Sequence, residues 1–126
     1  ADADELRRLF AEFGDPDANY AIATSGLIVI DIDPRKGGAK TIYEISDLSD
    51  NPMGVDFPET LTVRTPSGGW HLYYRSAVPV RSGVDVLGPG VDIRAEGGYV
   101  IGPGSVVAGK EYVIVDGIDL EAASAA

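Results

Sequence analysis

Apolar positions along this chain come in short runs broken by glycine, proline and acids, and the period inside each run predicts an element. Leu6, Leu9, Phe10 and Phe13 recur at helical spacing behind Asp2 and Glu5, which have the separation of a capping box, and Gly14 supplies a stop. This predicts a short amphipathic helix, followed by a turn at Asp15-Pro16-Asp17. Tyr20 to Thr24 predicts a strand that turns at Ser25-Gly26 into Leu27-Ile28-Val29-Ile30-Asp31-Ile32-Asp33, so the two strands are expected to form a hairpin. Leu27 to Ile30 are consecutive apolar residues and mostly β-branched, as a strand buried on both faces requires, yet the run ends in two carboxylates. Pro34 to Gly38 predicts a loop, and Ile42, Ile45 and Leu48 a second amphipathic helix ahead of an irregular stretch from Ser49 to Pro58.

Leu61 to Thr65 and Trp70 to Arg75 predict a hairpin closed by Pro66-Ser67-Gly68-Gly69. In its second strand Trp70, Leu72 and Tyr74 share one face, and His71, Tyr73 and Arg75 share the other. Beyond Val84 glycines punctuate the chain, predicting short strands at Val91 to Arg94, Tyr99 to Ile101 and Tyr112 to Val115. The small residues after Ile118 read as a tail or linker into a longer polypeptide.

At 126 residues and 44% hydrophobic content this is one domain: a leading helix and turn over 1–18, a core over 19–115 and a tail over 116–126. The absence of cysteine excludes disulfides, thiol catalysis and cysteine-ligated zinc. No apolar run approaches the roughly 20 residues of a membrane span, and the acidic first residues lack the basic and apolar regions of a signal peptide. The expectation is a soluble cytoplasmic protein with no membrane partner. A formal net charge of -10 argues against a broad nucleic-acid grip. The acids crowd the two ends, however, and most of the lysines and arginines lie between them.

Three stretches carry candidate chemistry. Asp31 and Asp33, two apart on a strand, project from one face, where their charges repel unless a cation or strong donors lie between them. Ser67-Gly68-Gly69 could present a hydroxyl and backbone N–H groups to an anion, with His71 and Arg75 in line on the next strand. Asp92, between Val91 and Ile93, would be an inward carboxylate that needs a partner. In the Pro34 to Gly38 loop, Arg35 and Lys36 suit an anion and the glycines permit close backbone approach to a ligand. The plain alternatives are a strand ending in water with Asp33 as a cap, a structural histidine and an ordinary loop.

In order and spacing, the strings Asn19 to Thr24, Asp31 to Gly38, Thr65 to Arg75 and Val91 to Ser105 resemble the N-terminal primase/polymerase (Prim-Pol) domain of bifunctional replication proteins, within the archaeo-eukaryotic primase superfamily. The motifs that carry the resemblance are Asp31-x-Asp33, Ser67 to His71 and the single acid Asp92. It implies an α+β fold: a mixed, largely antiparallel sheet of the RNA-recognition-motif-like kind, flanked by short helices. It implies template-directed nucleotidyl transfer from nucleoside triphosphates for primer synthesis and extension on a DNA template. Asp31, Asp33 and Asp92 would hold two Mg²⁺ or Mn²⁺ ions. His71, Ser67, the Gly68-Gly69 backbone, Arg75 and Lys110 would bind the triphosphate, Arg35 and Lys36 would meet nucleic acid, and a fused or associated helicase would be a partner. Two alternatives stay open: a metal-dependent phosphodiesterase or nuclease, and an inactive nucleotide- or nucleic-acid-binding module.

Overall fold

The computed structural model describes residues 19–45, 60–85 and 87–116. The expected leading helix, the irregular stretch before Thr60 and the C-terminal tail lie outside the described residues. Within them the order is β1 (Ala21–Ala23), β2 (Leu27–Ile32), a 3-10 turn (Pro34–Lys36), α1 (Gly38–Ile45), β3 (Leu61–Arg64), β4 (Trp70–Arg75), β5 (Val91–Arg94), β6 (Tyr99–Ile101), β7 (Val106–Val107), β8 (Lys110–Glu111) and β9 (Val113–Val115). The fold is α+β. Its main sheet has five strands in the order β5-β2-β4-β3-β9, with β1-β6 and β7-β8 as two-stranded ribbons. Every named strand pair is antiparallel, and a single bridge between Arg81 and Glu96 is parallel.

The expected hairpin between the strand at Ala21 and β2 does not form. Both edges of β2 are taken, one by β4 and the other by β5, so β1 has no edge there and pairs with β6 instead. Thr24 turns the chain away from the main sheet: its N–H donates to the Gly98 carbonyl at 3.0 Å and its hydroxyl to the Ala95 carbonyl at 2.6 Å. The β3–β4 hairpin does form, with Val63 opposite His71 and Arg64 opposite Trp70.

Period-two alternation divides the sheet into two apolar faces. Ile30, Ile32, Trp70, Leu72 and Val91 pack with Ala39 and Ile42 of α1, and Val29, Leu61, Val63, Tyr73 and Val100 form a second cluster on the opposite side. Asp31 and His71, at odd positions among the residues of the second face, are thereby directed away from the helix.

The segment from Pro34 to Gly38 corrects the expected loop. Asp33 caps a 3-10 turn by accepting from the Arg35 N–H at 3.0 Å, Gly37 is left-handed with φ 88°, and α1 starts at Gly38. The glycines serve close packing of the chain on itself. The Asp33 N–H donates to the Gly90 carbonyl at 2.8 Å, and a Cβ at Gly38 would overlap that carbonyl. At the other turn, a Cβ at Gly69 would overlap the Ile32 carbonyl. Both glycines let loops press against the end of β2.

Two predictions follow from this packing. Gly69→Ala forces the β3–β4 turn off the end of β2, an overpacking that costs about 1–3 kcal/mol; the expected result in urea unfolding is a lower midpoint at unchanged slope. The second concerns the fully buried Tyr73, whose hydroxyl is pushed well above the ordinary tyrosine value of 10.0 by burial, with Tyr20, Asp31 and Tyr112 adding repulsion. Because the raised group holds its proton more tightly when folded, its contribution is complete below pH 10.0 and is lost as pH rises beyond it. Absorbance of ionised tyrosine should therefore rise together with loss of fold in alkali, whereas a Tyr73→Phe variant should keep its fold to higher pH.

Candidate functional site

The site is built from one lateral row across the sheet. Asp31 on β2 lies opposite Asp92 on β5 and opposite His71 on β4, so three strands distant in sequence place these side chains on one face. Asp31 Oδ1 is 3.4 Å from His71 Nε2, and its Oδ2 is 3.9 Å from Nη2 of Arg94. The same Nη2 lies 3.2 Å from Asp92 Oδ2. Asp92 Oδ1 accepts from the Asp85 N–H at 2.9 Å. Asp85 has φ 53°, a left-handed conformation that aspartate tolerates, and its carboxylate in turn accepts from the Gly90 N–H at 3.0 Å. The row thus reads His71, Asp31, Asp92, with the Arg94 guanidinium reaching both acids from two residues along β5 and the loop before β5 braced behind it.

Two grooves of about 450 Å³ each open beside Asp31 and His71. Tyr112 borders both, its ring 5.9 Å from the His71 ring at a 38° tilt. Burial, and then the Asp31 charge, raises the Tyr112 hydroxyl above the usual tyrosine range, so it is a neutral donor at ordinary pH. The first groove brings Asp31, Asp33, Ser67 and His71 together with Arg35 and Lys110. The second runs past Arg94, Gly97, Gly98 and Tyr99.

Other expected site residues are placed differently. The Asp33 carboxylate lines the first groove but is engaged by Arg35, through the backbone N–H and through Nε at 3.5 Å. The expected anion nest is not formed: the Gly68 N–H donates to the Thr65 carbonyl at 3.0 Å and the Gly69 N–H to the Thr65 hydroxyl at 3.2 Å, so both are spent inside the turn. Gly68 borders a smaller recess of about 300 Å³ with Lys110, and Gly69 is buried. Ser67 keeps a place in the groove, paired with Thr65 at 3.0 Å. Arg75 sits opposite Leu27 at the far end of β4, roughly 13 Å along the strand from His71, outside both grooves. Lys36 is exposed on the 3-10 turn and borders neither groove.

Arg94, Thr65, Tyr112 and Tyr99 also line the grooves, and none was among the expected site residues. Arg94 was within reach, because two residues beyond Asp92 on a strand means the same face. Thr65 and Tyr112 carried no such signal, since their places depend on which strands pair.

The carboxylate oxygens are of the hard type that Mg²⁺ and Mn²⁺ prefer. Among the described residues, however, no group of three or more His, Asp or Glu side chains is gathered as a finished metal cage. What the row contains is a pair of facing carboxylates with the Arg94 guanidinium standing in as their cation. His71 is 5% exposed, and its Nδ1 has no hydrogen-bond partner among the described residues. The donor chemistry fits a divalent ion.

No helix among the described residues is long and apolar enough to cross a membrane. No curated protein and no solved structure matches the chain significantly. The family model described as "Bifunctional DNA primase/polymerase, N-terminal" matches residues 1–126. With its acids and histidine aligned across three strands of one sheet, the chain belongs to the Prim-Pol family of bifunctional DNA primase/polymerase N-terminal domains.

Proposed function

We propose that this domain is a DNA primase/polymerase, transferring nucleotides from nucleoside triphosphates to a primer end or an initiating nucleotide under the direction of a DNA template. The observation that carries this reading is the lateral row of Asp92, Asp31 and His71, with Asp33 beside it in the first groove. Asp31 and Asp92 would hold divalent metal, with Asp33 completing the set once its carboxylate leaves Arg35. Bound there, Mg²⁺ or Mn²⁺ would supply charge for a leaving pyrophosphate and acidify the attacking hydroxyl.

The chain's own residues supply binding and orientation. Lys110 and Arg35 put positive charge on the rim of the first groove, and Ser67 offers a hydroxyl, a set suited to phosphate oxygens. His71, held between Asp31 and the Tyr112 ring, directs Nε2 to the Asp31 carboxylate at the edge of the groove, and from there would donate to a phosphate oxygen in exchange. Tyr112, neutral at working pH, walls the groove without adding negative charge. A helicase fused to or associated with the domain would supply its single-stranded template.

With Mn²⁺, labelled nucleotides and a primed template, the expected outcome is extension; degradation would favour a phosphodiesterase, and retention alone an inactive binding module. Asp31→Asn should lower extension by at least about 100-fold, since even groups behind metal ligands cost 10- to 100-fold when removed. Circular dichroism should show the fold retained, because removing one of two facing charges relieves repulsion. Extension at the original rate would refute the metal assignment. His71→Ala should raise the KM for triphosphate by roughly 10- to 150-fold, the worth of a charge-assisted hydrogen bond. Equal weakening of mono- and triphosphate binding would make the histidine structural.

A further inference from the structure

Arg94 occupies an unusual place for a cation beside a carboxylate set. A single nitrogen, Nη2, reaches both Asp92 at 3.2 Å and Asp31 at 3.9 Å, so the guanidinium bridges the two acids from one corner. The two-pronged fork that gives arginine–carboxylate pairs their strength is not engaged. Its side chain is 40% exposed, more than either acid. Its backbone is fixed opposite Val29 in the β2–β5 ladder, so only side-chain torsions need change for the guanidinium to leave. Space for it lies alongside: the second groove, about 450 Å³, is bordered by Arg94 itself and by Gly97 and Gly98, which carry no side chains.

We infer that Arg94 is an internal competitor for the metal position between Asp31 and Asp92, displaced into the second groove when a divalent ion binds. This rests on the reading of those acids as metal ligands. Two cations cannot share the space between two adjacent carboxylates without strong repulsion, so an ion entering there must move the guanidinium. Once released, the guanidinium faces a groove continuous with Asp31 and His71, where a phosphate group is its natural partner. Metal binding would then expose an anion receptor, and by linkage a triphosphate in the groove would tighten metal binding by the same factor. Arg94 is a positioning and gating residue: it partly offsets the charge of the acid pair until metal binds, and is then free to meet a nucleotide phosphate.

The test is calorimetric titration of chelator-treated protein with Mn²⁺, without nucleotide and again with a non-hydrolysable nucleoside triphosphate. Arg94→Gln should bind Mn²⁺ about tenfold more tightly than the wild type without nucleotide, and the gain from adding nucleotide should shrink. Equal or weaker Mn²⁺ binding by Arg94→Gln overturns the competitor role while leaving the metal reading intact. Absence of Mn²⁺ binding by both proteins overturns the metal reading itself, and this inference with it. A second measurement needs no variant: in the wild type, phenylglyoxal labelling of Arg94, followed by peptide mass spectrometry, should increase when Mn²⁺ binds, because the guanidinium leaves its carboxylates. Labelling unchanged at saturating Mn²⁺ overturns the inference.

Discussion

The facing of Asp31 and Asp92 across the β2–β5 ladder is the constraint around which this domain is arranged. Two carboxylates directly opposite one another on adjacent strands repel, and they persist only where something balances them. In this chain the balance comes from three directions: His71 on the far side of Asp31, Arg94 diagonally across, and the Asp85 N–H behind Asp92. Each depends on backbone geometry outside the row. His71 is placed by the β2–β4 register, Arg94 by the period of β5, and the Asp85 amide by a left-handed turn closed on Gly90. Negative charge is thus concentrated on one face of the sheet, at its β5–β2 side, and held there by strands whose other contacts are largely apolar.

That apolar structure has two unequal sides. The face toward α1 is a continuous core of aliphatic and aromatic side chains from β2, β4 and β5, with none of the site residues among them. The opposite face is mixed: Val29, Leu61, Val63, Tyr73 and Val100 pack together, and the acid row adjoins them. Burial on the helix side anchors the strands, and the strands carry the polar row as rigid supports, which favours precise placement of charged groups. The loops near the row are drawn tight by glycines whose missing side chains leave room for neighbouring backbone, at Gly38 against Gly90 and at Gly69 against Ile32. Membership of the Prim-Pol family gives this arrangement its functional context.

Much of this was legible in the residues. The apolar run ending at Asp31, the alternation in Trp70 to Arg75 and the isolated Asp92 each announced a strand and a face, because period-two alternation is a local property of the chain. The β3–β4 hairpin was legible for the same reason, with a short turn rich in glycine between two alternating segments. Misplaced elements came from interactions that are not local. The strand at Ala21 was expected beside β2 because it precedes it, but the edges of β2 were claimed by strands from further along. The glycines after Asp33 and in the Ser67 turn looked suited to a ligand, and their neighbours proved to be the protein's own carbonyls and the Thr65 side chain.

Sequence by itself therefore determined which residues could form strands and which side of each strand carried polar side chains, and the resemblance of its motifs grouped Asp31, His71 and Asp92. Only the tertiary structure decided that they stand in a single row, that Arg94 reaches both acids, that Tyr112 closes on His71, and that Arg75 and Lys36 border neither groove. The physical reason is that a side chain's direction follows from the few dihedrals around it, whereas its neighbours follow from strand order and register. Those are settled collectively by burial of the whole sheet, and no single stretch of the chain contains them.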